Sequence, residues 1–539
     1  MPALLPPDHS VSTQPQTTGT QRSTRSALLS AALLLSASTL VSRILGQLRD
    51  LLLVWKLGAS ADTDAYLAAF WLPDLLSYFL AGGAFTISFV PAFSKAVSEG
   101  RSADGWKLFS NIATLTACLL LVTIGLCFWF TPELVAVMYP SFSAAQQATT
   151  STLTRIILPG PLFFFIGGLL TATETVRGSF AAASLTPLVY NLAIIAGGLF
   201  LAPWMGVAGF SWGVLAGAAL GALLVPLAFA WSRVRFRPRL DLADPELRSY
   251  LLVTAPLLIG VSLLTVDEWM VRYFGATLGV GAITHLSNAR KLMLVPASLI
   301  GQSVSFAILP SLSNDLAAGR VDEANERMSS SIGSIVALSA LAAVALASAA
   351  EPIVRTIYQH GAFGAADAAA TASYLRILAL AVPGWCLATV ASRGFYARQE
   401  NGRAMVITSA ITLLCLPVYG FGARNGAGVG LAWASVAGCT LQGIAIAAAL
   451  DWRHKTQTVA MTLRGATAGL LFAAPAVAAV YAWSSWGSES LALHHPWDAA
   501  ASLGVSCVAF GLSTVAYVWR SEPALFAKAT ARLRRRASR

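Results

Sequence analysis

The sequence predicts an all-α, polytopic membrane protein with about 14 transmembrane helices. The prediction rests on sparse charge, long apolar segments and basic residues confined to alternate loops. Of the 539 residues, 56% are hydrophobic and 11% are charged, and the mean hydropathy is +0.66. Soluble domains carry about 25% charged residues, so this chain cannot cover a water-exposed surface of its size. The composition excludes an ordinary soluble enzyme, a disordered chain and a secreted disulfide-rich protein.

The apolar segments define the elements of the fold. A helix needs about 20 apolar residues to cross a bilayer. Fourteen segments reach this length, and we number them helices 1 to 14: 27–56, 64–94, 108–130, 147–176, 183–202, 205–231, 249–273, 281–312, 330–350, 368–397, 404–421, 427–450, 463–486 and 497–519. The first segment has no small-residue cleavage site, which indicates a transmembrane helix and not a signal peptide.

Basic residues divide unequally between the alternate loops. With the N-terminus in the cytoplasm, the inside loops carry sixteen Lys and Arg residues, and the outside loops carry only Arg355 and Arg424. Basic residues are retained on the cytoplasmic side of a membrane. The sequence therefore predicts that both termini are cytoplasmic.

The basic residues that give the net charge of +11 lie mainly outside the apolar segments. Seven of the 36 basic residues follow the last apolar segment, in a predicted basic cytoplasmic tail at 520–539, and most others lie in short gaps between segments. This distribution fits anionic lipid headgroups and argues against nucleic acid as a partner. Residues 1–26 are rich in Pro, Ser, Thr and Gln, which predicts a disordered cytoplasmic tail.

Sequence signatures of catalysis and metal binding are absent. The chain has no P-loop, no H-x-x-x-H pattern and no G-x-S-x-G turn. Its six cysteines lie inside apolar segments without a C-x-x-C pair. We therefore expect neither an enzyme nor a metal or organic cofactor.

An internal repeat divides the chain. The motif at 91–94 (Pro-Ala-Phe-Ser) precedes Gly-Arg at 100–101, and the motif at 310–313 (Pro-Ser-Leu-Ser) precedes Gly-Arg at 319–320, which is an offset of 219 residues. Six helices separate the two copies, so both halves have the same orientation, related by a pseudo-two-fold axis along the membrane normal.

The repeat predicts three membrane domains with a substrate site between the first two, near the midplane. The predicted domains are an N-lobe of helices 1–6 (27–235), a C-lobe of helices 7–12 (236–451), and the added helices 13–14 (452–519).

Charged residues inside helices 1 and 8 are candidate site residues. A mid-bilayer Arg or Lys costs roughly 2.5–3.5 kcal/mol on insertion scales unless it faces a cavity or a partner. Arg43 and Arg49 lie on helix 1, where Asp50 can pair with only one of them, and Arg290 and Lys291 lie midway along helix 8. Two interpretations stay open, a cationic central cavity for an anionic substrate such as a phosphate, and structural ion pairing.

Three carboxylates lie at or near the outer end of helix 2, on Asp62, Asp64 and Asp74. They either close the cavity by pairing with cations or belong only to a solvated loop.

Six motifs resemble the MurJ family of lipid II flippases, within the superfamily of multidrug and polysaccharide-lipid exporters. They are Ser-Arg-Ile-Leu-Gly-Gln-Leu-Arg-Asp at 42–50, Thr-Asp-Ala-Tyr at 63–66, Leu-Pro-Asp-Leu-Leu at 72–76, Gly-Ala-Phe-Thr at 83–86, Leu-Pro-Ser-Leu-Ser at 309–313 and Gly-Phe-Tyr-Ala-Arg-Gln at 394–399. The resemblance covers nearly the whole chain and is weakest over 460–539.

The resemblance implies fourteen helices, alternating access and translocation of undecaprenyl-pyrophosphate-linked peptidoglycan precursor (lipid II) to the outer leaflet of the bacterial cytoplasmic membrane. It places Arg43, Arg49 and Asp64 on positions that function in the family, and Lys291 where the family usually has an Arg. We predict Arg43, Arg49, Lys291 and Arg290 as substrate ligands. Asp50 and Asp64 are predicted gate or ion-pair residues.

The chain departs from the family at several predicted cavity positions. Ser77 and Tyr78 replace an Arg-Arg pair, and Gly82 replaces a Glu. These losses leave two alternatives to lipid II flipping: a same-fold exporter of another polyprenyl-linked glycan, and a non-transporting cell-wall scaffold.

Energy coupling and partners are predicted from the same resemblance. Asp267 matches the acidic residue of a sodium site described for some members, but helix 11 has no carboxylate. The missing carboxylate argues against coupling to Na⁺, which stays one alternative, and the membrane potential acting on an anionic substrate is the simpler expectation. The expected partners are lipid II, the membrane and cell-wall synthesis proteins, and the protein is expected to be a monomer.

Overall fold

Helices make up all regular secondary structure in the part of the chain that the computed structural model describes, residues 18–79, 83–259, 263–487 and 497–521. In chain order they are α1 Thr18–Leu57, α2 Ala61–Ala69, α3 Trp71–Phe79, α4 Gly83–Ser98, α5 Ser102–Trp129, α6 Thr131–Met138, α7 Ala144–Ile157, α8 Gly160–Val176, α9 Ala181–Ala196, α10 Ala202–Met205, α11 Ala208–Gly217, α12 Val225–Ala230, α13 Pro245–Ile259, α14 Leu263–Gly275, α15 Ala282–Ala317, α16 Val321–Ser348, α17 Ala350–Tyr358, α18 Ala365–Leu378, α19 Ala381–Ala397, α20 Asn401–His454, α21 Thr458–Ala482 and α22 Trp497–Ser521. The predicted all-α membrane fold is confirmed.

The predicted membrane segments coincide with these helices, although several are broken. Nine helices in the described ranges are long and apolar enough to cross a membrane, or ten if the pair α18 and α19, bent by 45°, forms one span. Helix 2 of the sequence corresponds to α2, α3 and α4, and helix 7 to α13 and α14. The number fourteen itself stays a prediction.

One long helical run contains two of the predicted spans. The 54 residues of α20 would extend about 80 Å at 1.5 Å per residue, far more than the bilayer core of about 30 Å. The chain turns at Ala427, whose backbone angles (φ 47°, ψ −134°) are not helical. Gly422 and Gly430 approach each other across this turn. The turn falls between the predicted spans 404–421 and 427–450.

The internal repeat is present in the helices themselves. α5 and α16 each have 28 residues, and their ends are 219 residues apart. α7 and α18 each have 14 residues, and α8 and α19 each have 17. Gly100 and Gly319 precede α5 and α16 with the same φ of +74°, a left-handed conformation that glycine adopts most readily. The predicted pseudo-symmetry is thus visible in lengths, spacing and turns.

Each half has its own hydrophobic core. The first half contains an aromatic cluster that includes Phe89, Phe93, Trp106 and Phe109, and the second half contains one large core that joins α15, α16, α18, α19 and α20. Tyr250 of α13 packs into the first-half cluster, whereas α14 packs mainly on α20. Helix 7 therefore contacts both halves, and a cavity lies between them.

We call the end of the molecule at which α1 finishes the outer end, following the predicted orientation. Close packing between helices depends on small residues. A Cβ on Gly167 of α8 would overlap the backbone carbonyl of Ala222, whereas a Cβ on Gly125 of α5 meets nothing within 4 Å.

We expect Gly167→Ala to lower the melting temperature of the purified protein, because overpacking of this kind costs about 1–3 kcal/mol. Gly125→Ala, the matched control, is expected to leave it unchanged or slightly higher, since Ala is the better helix former. Fluorescence-detected thermal unfolding in detergent measures both. Equal melting temperatures would contradict the close approach of α8 to residue 222.

A charged cavity between the halves and its closure

A cavity of about 510 Å³ lies between the two halves. Its charged lining residues are the cations Arg49, Arg272 and Lys291 and the anions Asp50, Asp74 and Glu268, and its aromatic lining residues are Tyr66, Phe70, Tyr78 and Trp269. The lining comes from α1, α2 and α3 of the first half and from α14 and α15 of the second. We refer to it as the central cavity.

Asp50 of α1 joins the halves inside this cavity. One carboxylate oxygen accepts a hydrogen bond from Nε of Arg49 at 3.0 Å, and the other lies 2.8 Å from Nζ of Lys291 on α15. Nη1 of Arg49 also donates to Oδ1 of Asn191 on α9 at 3.2 Å. Asp50 therefore neutralises one cation from each half.

Arg272 of α14 makes a second ionic connection. Its guanidinium donates to the carboxylate of Asp74 on α3, at 2.6 Å, and to that of Glu268 one turn earlier on its own helix. Arg272 is buried, with 7% of its surface exposed. It lies near the end of a predicted span and lines the central cavity.

Arg43 lies farther along α1, about 9 Å from Arg49 at the helical rise of 1.5 Å per residue. Its guanidinium is exposed and approaches Oγ of Ser298 and Oε1 of Gln302 on α15 at 3.5 and 3.4 Å. These distances are at the long limit of hydrogen bonding. Among the described residues Arg43 has only neutral partners, and its guanidinium remains available to an anion.

The two adjacent cations of α15 have different surroundings. Lys291 lines the central cavity. Arg290 is turned away, buried at 6% exposure and paired with Asp267 of α14. Asp267 also accepts hydrogen bonds from Tyr419 at 2.6 Å and Ser435 at 2.5 Å. Arg290, a predicted substrate ligand, and Asp267, a predicted ion-coupling residue, therefore lie together in the second-half interior, away from the cavity.

Asp64 closes the outer end by capping a helix of the other half. Its carboxylate accepts the backbone N–H of Gly281 at 2.6 Å, the N–H of Thr284 at 2.9 Å and the Thr284 hydroxyl at 2.6 Å. These donors form the N-terminus of α15, where the first N–H groups have no intrahelical acceptor and the helix dipole favours an anion. Asp64 is 1% exposed. We call this contact the outer latch.

Further contacts close the same end. The N–H of Ala362 donates to the backbone oxygen of Trp55 at 2.9 Å, and Gly58 and Gly361 lie against the facing backbone so closely that a Cβ would overlap it. Ser141 donates to the oxygen of Ala276 at 3.0 Å. The described segments of the two halves thus meet tightly beyond the cavity.

The charge of the cavity differs from the expectation. The sequence predicted a cationic cavity, but the lining contains three cations and three carboxylates. Asp50 and Asp74 line the cavity together with the cations. The sequence alone does not show which faces of the different helices meet, so it could not predict this. Arg43, on the same helix as Arg49, has no carboxylate partner among the described residues.

Sequence reasoning missed Arg272 as a cavity residue and Asn191 as the partner of Arg49. Glu268 four residues before Arg272 was the available signal, because an i, i+4 pair shares one helix face. Of the positions at which the chain differs from the family pattern, Ser77 and Tyr78 line the cavity. The ring of Tyr78 packs edge-to-face on Trp269, with 5.6 Å between the ring centroids. Gly82 lies outside the described residues.

Comparisons with known proteins identify similar sequences and folds. A family model described as lipid II flippase MurJ matches residues 54–496. A probable lipid II flippase MurJ of Bdellovibrio bacteriovorus is 33% identical over 382 residues, 66% of this chain and 69% of that protein. Lipid II flippase MurJ of Burkholderia cenocepacia is 28% identical over 390 residues, 69% of this chain and 74% of that one.

Solved structures share the fold. A lipid II flippase MurJ in an inward closed conformation superimposes with a TM-score of 0.75 at 21% identity, covering 90% of this chain and 99% of that one. An inward-facing MATE family multidrug transporter superimposes with a TM-score of 0.64 at 14% identity, covering 80% and 99%.

The outer latch is expected to stabilise the first turn of α15. Removing the carboxylate with Asp64→Ala leaves the first N–H groups of α15 uncapped, and loss of a cap costs about 0.5–2 kcal/mol. We expect amide exchange in a peptide covering 279–290 to accelerate by about two- to thirtyfold, measured by hydrogen–deuterium exchange mass spectrometry. Asp62→Ala, at an exposed neighbouring carboxylate, is the control. Equal exchange in both variants would show that Asp64 does not hold this helix end.

Proposed function

The chain belongs to the MurJ family of lipid II flippases, and we propose that it moves lipid II from the inner to the outer leaflet by alternating access. The family match over 54–496 carries this conclusion. The closed outer end and the charged cavity between the halves support the alternating-access mechanism. The proposed activity is transport, in which no bond of the lipid is made or broken.

Substrate binding is proposed to occur by exchange of anions. In the cavity, Asp50 neutralises Arg49 and Lys291, which lowers the cost of holding cations at membrane depth. The diphosphate of lipid II offers more acceptor oxygens than one carboxylate, and a guanidinium binds phosphate through two parallel hydrogen bonds. The diphosphate therefore takes the cations from Asp50, with Arg43 on its path and Arg272 at the far side.

This exchange couples the substrate to the gate. Asp50–Lys291 and Asp74–Arg272 each join the first half to the second. When a diphosphate replaces either carboxylate, the ionic connection between the halves weakens. The outer latch and the neighbouring hydrogen bonds of Ala362 and Ser141 then remain to be broken before the outer end opens.

We propose that the membrane potential drives transport and that Na⁺ is not coupled. The Asp267 carboxylate already has Arg290, Tyr419 and Ser435 as partners, so the buried guanidinium supplies the positive charge that a bound cation would supply. With a negative cell interior, outward movement of an anion gains about 2.3 kcal/mol per charge per 100 mV.

The cavity also favours a second candidate, export of another polyprenyl-linked glycan. Ser77 and Tyr78 stand where the family usually has two arginines, and Tyr78 and Trp269 present aromatic surface to the cavity. A headgroup with fewer anionic groups fits such a lining. Which lipid-linked intermediate accumulates on the inner leaflet after depletion in the native cell distinguishes the two candidates.

The cavity cations are predicted to be required for flipping. In a bacterium depleted of its own flippase, we expect Lys291→Ala and Arg49→Ala to lose activity and Lys291→Arg to retain it, because either cation can hold the diphosphate. The measurement is the fraction of lipid II that an impermeant hydrolase cleaves from outside. Activity in media with Na⁺ or with choline is expected to be equal.

The matched control is Arg424→Ala, an exposed cation outside the central cavity, which is expected to keep full activity. Arg290→Ala is expected to lower the protein level in the membrane, since breaking a buried pair costs about 3–5 kcal/mol. Full activity of Lys291→Ala at a normal protein level would contradict the exchange mechanism.

We propose further that the protein lies in the bacterial cytoplasmic membrane with both termini cytoplasmic, acts as a monomer and meets cell-wall synthesis proteins there. The supporting observation is the excess of basic residues in alternate loops. A cysteine at Ser141 is expected to react with an impermeant thiol reagent from outside, and one at Arg237 is not. The reverse labelling would invert the orientation.

A further inference from the structure

The connection between the two halves carries a regular pattern of cations. It follows α12 and reads Arg-Val-Arg-Phe-Arg-Pro-Arg from residue 233 to residue 239, so every second side chain is a guanidinium. Residues 234–241 have no helix or turn. In an extended chain, alternate side chains lie on the same face. The arginines at every second position therefore lie on one face of this segment.

Backbone hydrogen bonds fix this connection on α5. The N–H groups of residues 237, 239 and 241 donate to the side chains of Ser110, Thr114 and Asn111 at 3.2, 3.3 and 3.0 Å. Every second N–H is used, as an extended chain beside a polar helix face allows. Because the backbone holds the segment in place, the arginine side chains are not needed to anchor it.

A second cavity lies between this connection and α5. It measures about 620 Å³, and its lining residues are Ala103, Trp106, Lys107, Ser110, Arg235, Phe236, Arg237 and Arg239. Four of these eight residues are cationic and none is acidic. We call it the basic pocket, and it shares no lining residue with the central cavity.

Two of the four cations have no carboxylate partner. Lys107 pairs with Asp104 at 3.0 Å, and Arg239 pairs with Asp241. Arg235 and Arg237 take part in no ion pair with any described residue. Both side chains are exposed, and the pocket thus presents two guanidinium groups to an external anion.

Apolar surface accompanies these cations. Trp106 forms part of the wall, and Phe236 packs edge-to-face on Phe109 at 6.4 Å. Phe236, Leu240 and Leu242 are nevertheless 46%, 54% and 55% exposed. Exposed apolar groups beside two guanidinium groups fit a molecule that has both a phosphate and an acyl chain better than a wholly polar anion.

We propose that the basic pocket binds the phosphate headgroup of an anionic glycerophospholipid from the leaflet on this side of the membrane. Guanidinium groups bind phosphate oxygens in pairs, and basic pockets beside transmembrane helices on the cytoplasmic side are suited to anionic headgroups. The pocket lies on the connection between the halves, so a bound lipid also holds that connection against α5. This lipid is a structural ligand and is separate from the transported substrate.

A photoactivatable phosphatidylglycerol probe tests the proposal. The full-length protein is reconstituted in phosphatidylcholine vesicles containing the probe, and the cross-linked peptides are identified by mass spectrometry. We expect cross-links within 103–114 and 231–242. Arg235→Gln/Arg237→Gln is expected to weaken probe binding on the order of 20-fold, from two lost basic contacts near the membrane surface.

The control removes two cations elsewhere on the same side. Lys455→Gln/Arg464→Gln changes the net charge equally, at exposed residues outside the pocket, and is expected to leave the cross-links unchanged. Arg235→Lys/Arg237→Lys is expected to restore most of the binding. Unchanged melting temperatures show that all three variants are folded.

Three outcomes would overturn the proposal. If a phosphatidylcholine probe labelled these peptides equally, binding would not depend on the anionic headgroup. If the control variant lost probe binding to the same extent, the effect would be non-specific electrostatic attraction between the protein and the anionic probe. Displacement of the probe by an equal mole fraction of undecaprenyl diphosphate would identify the pocket as a substrate entrance. Each outcome is distinct from loss of flipping, so the proposal can fail while the proposed function holds.

Discussion

A cation buried in a membrane requires an anion, and in this protein the anion often comes from the opposite half of the molecule. Asp50 of α1 meets Lys291 of α15, and Asp74 of α3 meets Arg272 of α14. Unpaired, each cation costs roughly 2.5–3.5 kcal/mol at the bilayer centre. The need to neutralise these charges therefore draws the halves together around the cavity.

The same requirement explains how the structure can have two states. A buried ion pair contributes little net stability over apolar packing, but breaking it without a replacement is strongly unfavourable. The pairs therefore hold one state until another anion enters. Asp64 applies this principle at the outer end, where the free N–H groups of α15 take the place of a cation. A diphosphate that enters the cavity replaces the carboxylates in the ionic pairs, and the polar contacts of the outer end, the outer latch among them, remain to be broken.

The sequence was sufficient for the all-α membrane fold and the repeat, because both depend on composition and spacing along the chain. It predicted both Arg290 and Lys291 as ligands, although adjacent helical residues point about 100° apart, and only Lys291 lines the cavity. It could not place Arg272 in the cavity, because that depends on how α14 is rotated against α3. The balance of charge was missed for the same reason, as the partners Asp50 and Lys291 are 241 residues apart. Tertiary packing, which no local pattern encodes, decides such pairings.

A diphosphate that replaces the carboxylates of the cavity is expected to loosen the outer end. Spin labels on cysteines replacing the exposed Ala145 and Ala366, repeat-related positions near the starts of α7 and α18, report the outer distance by double electron–electron resonance. With the six native cysteines replaced by alanine, lipid II is expected to add a longer-distance population, and Asp50→Asn is expected to produce part of it without lipid. Undecaprenol, which lacks the diphosphate, is expected to have no effect. An equal shift with undecaprenol, or none with lipid II in a variant that still transports it, would contradict the account.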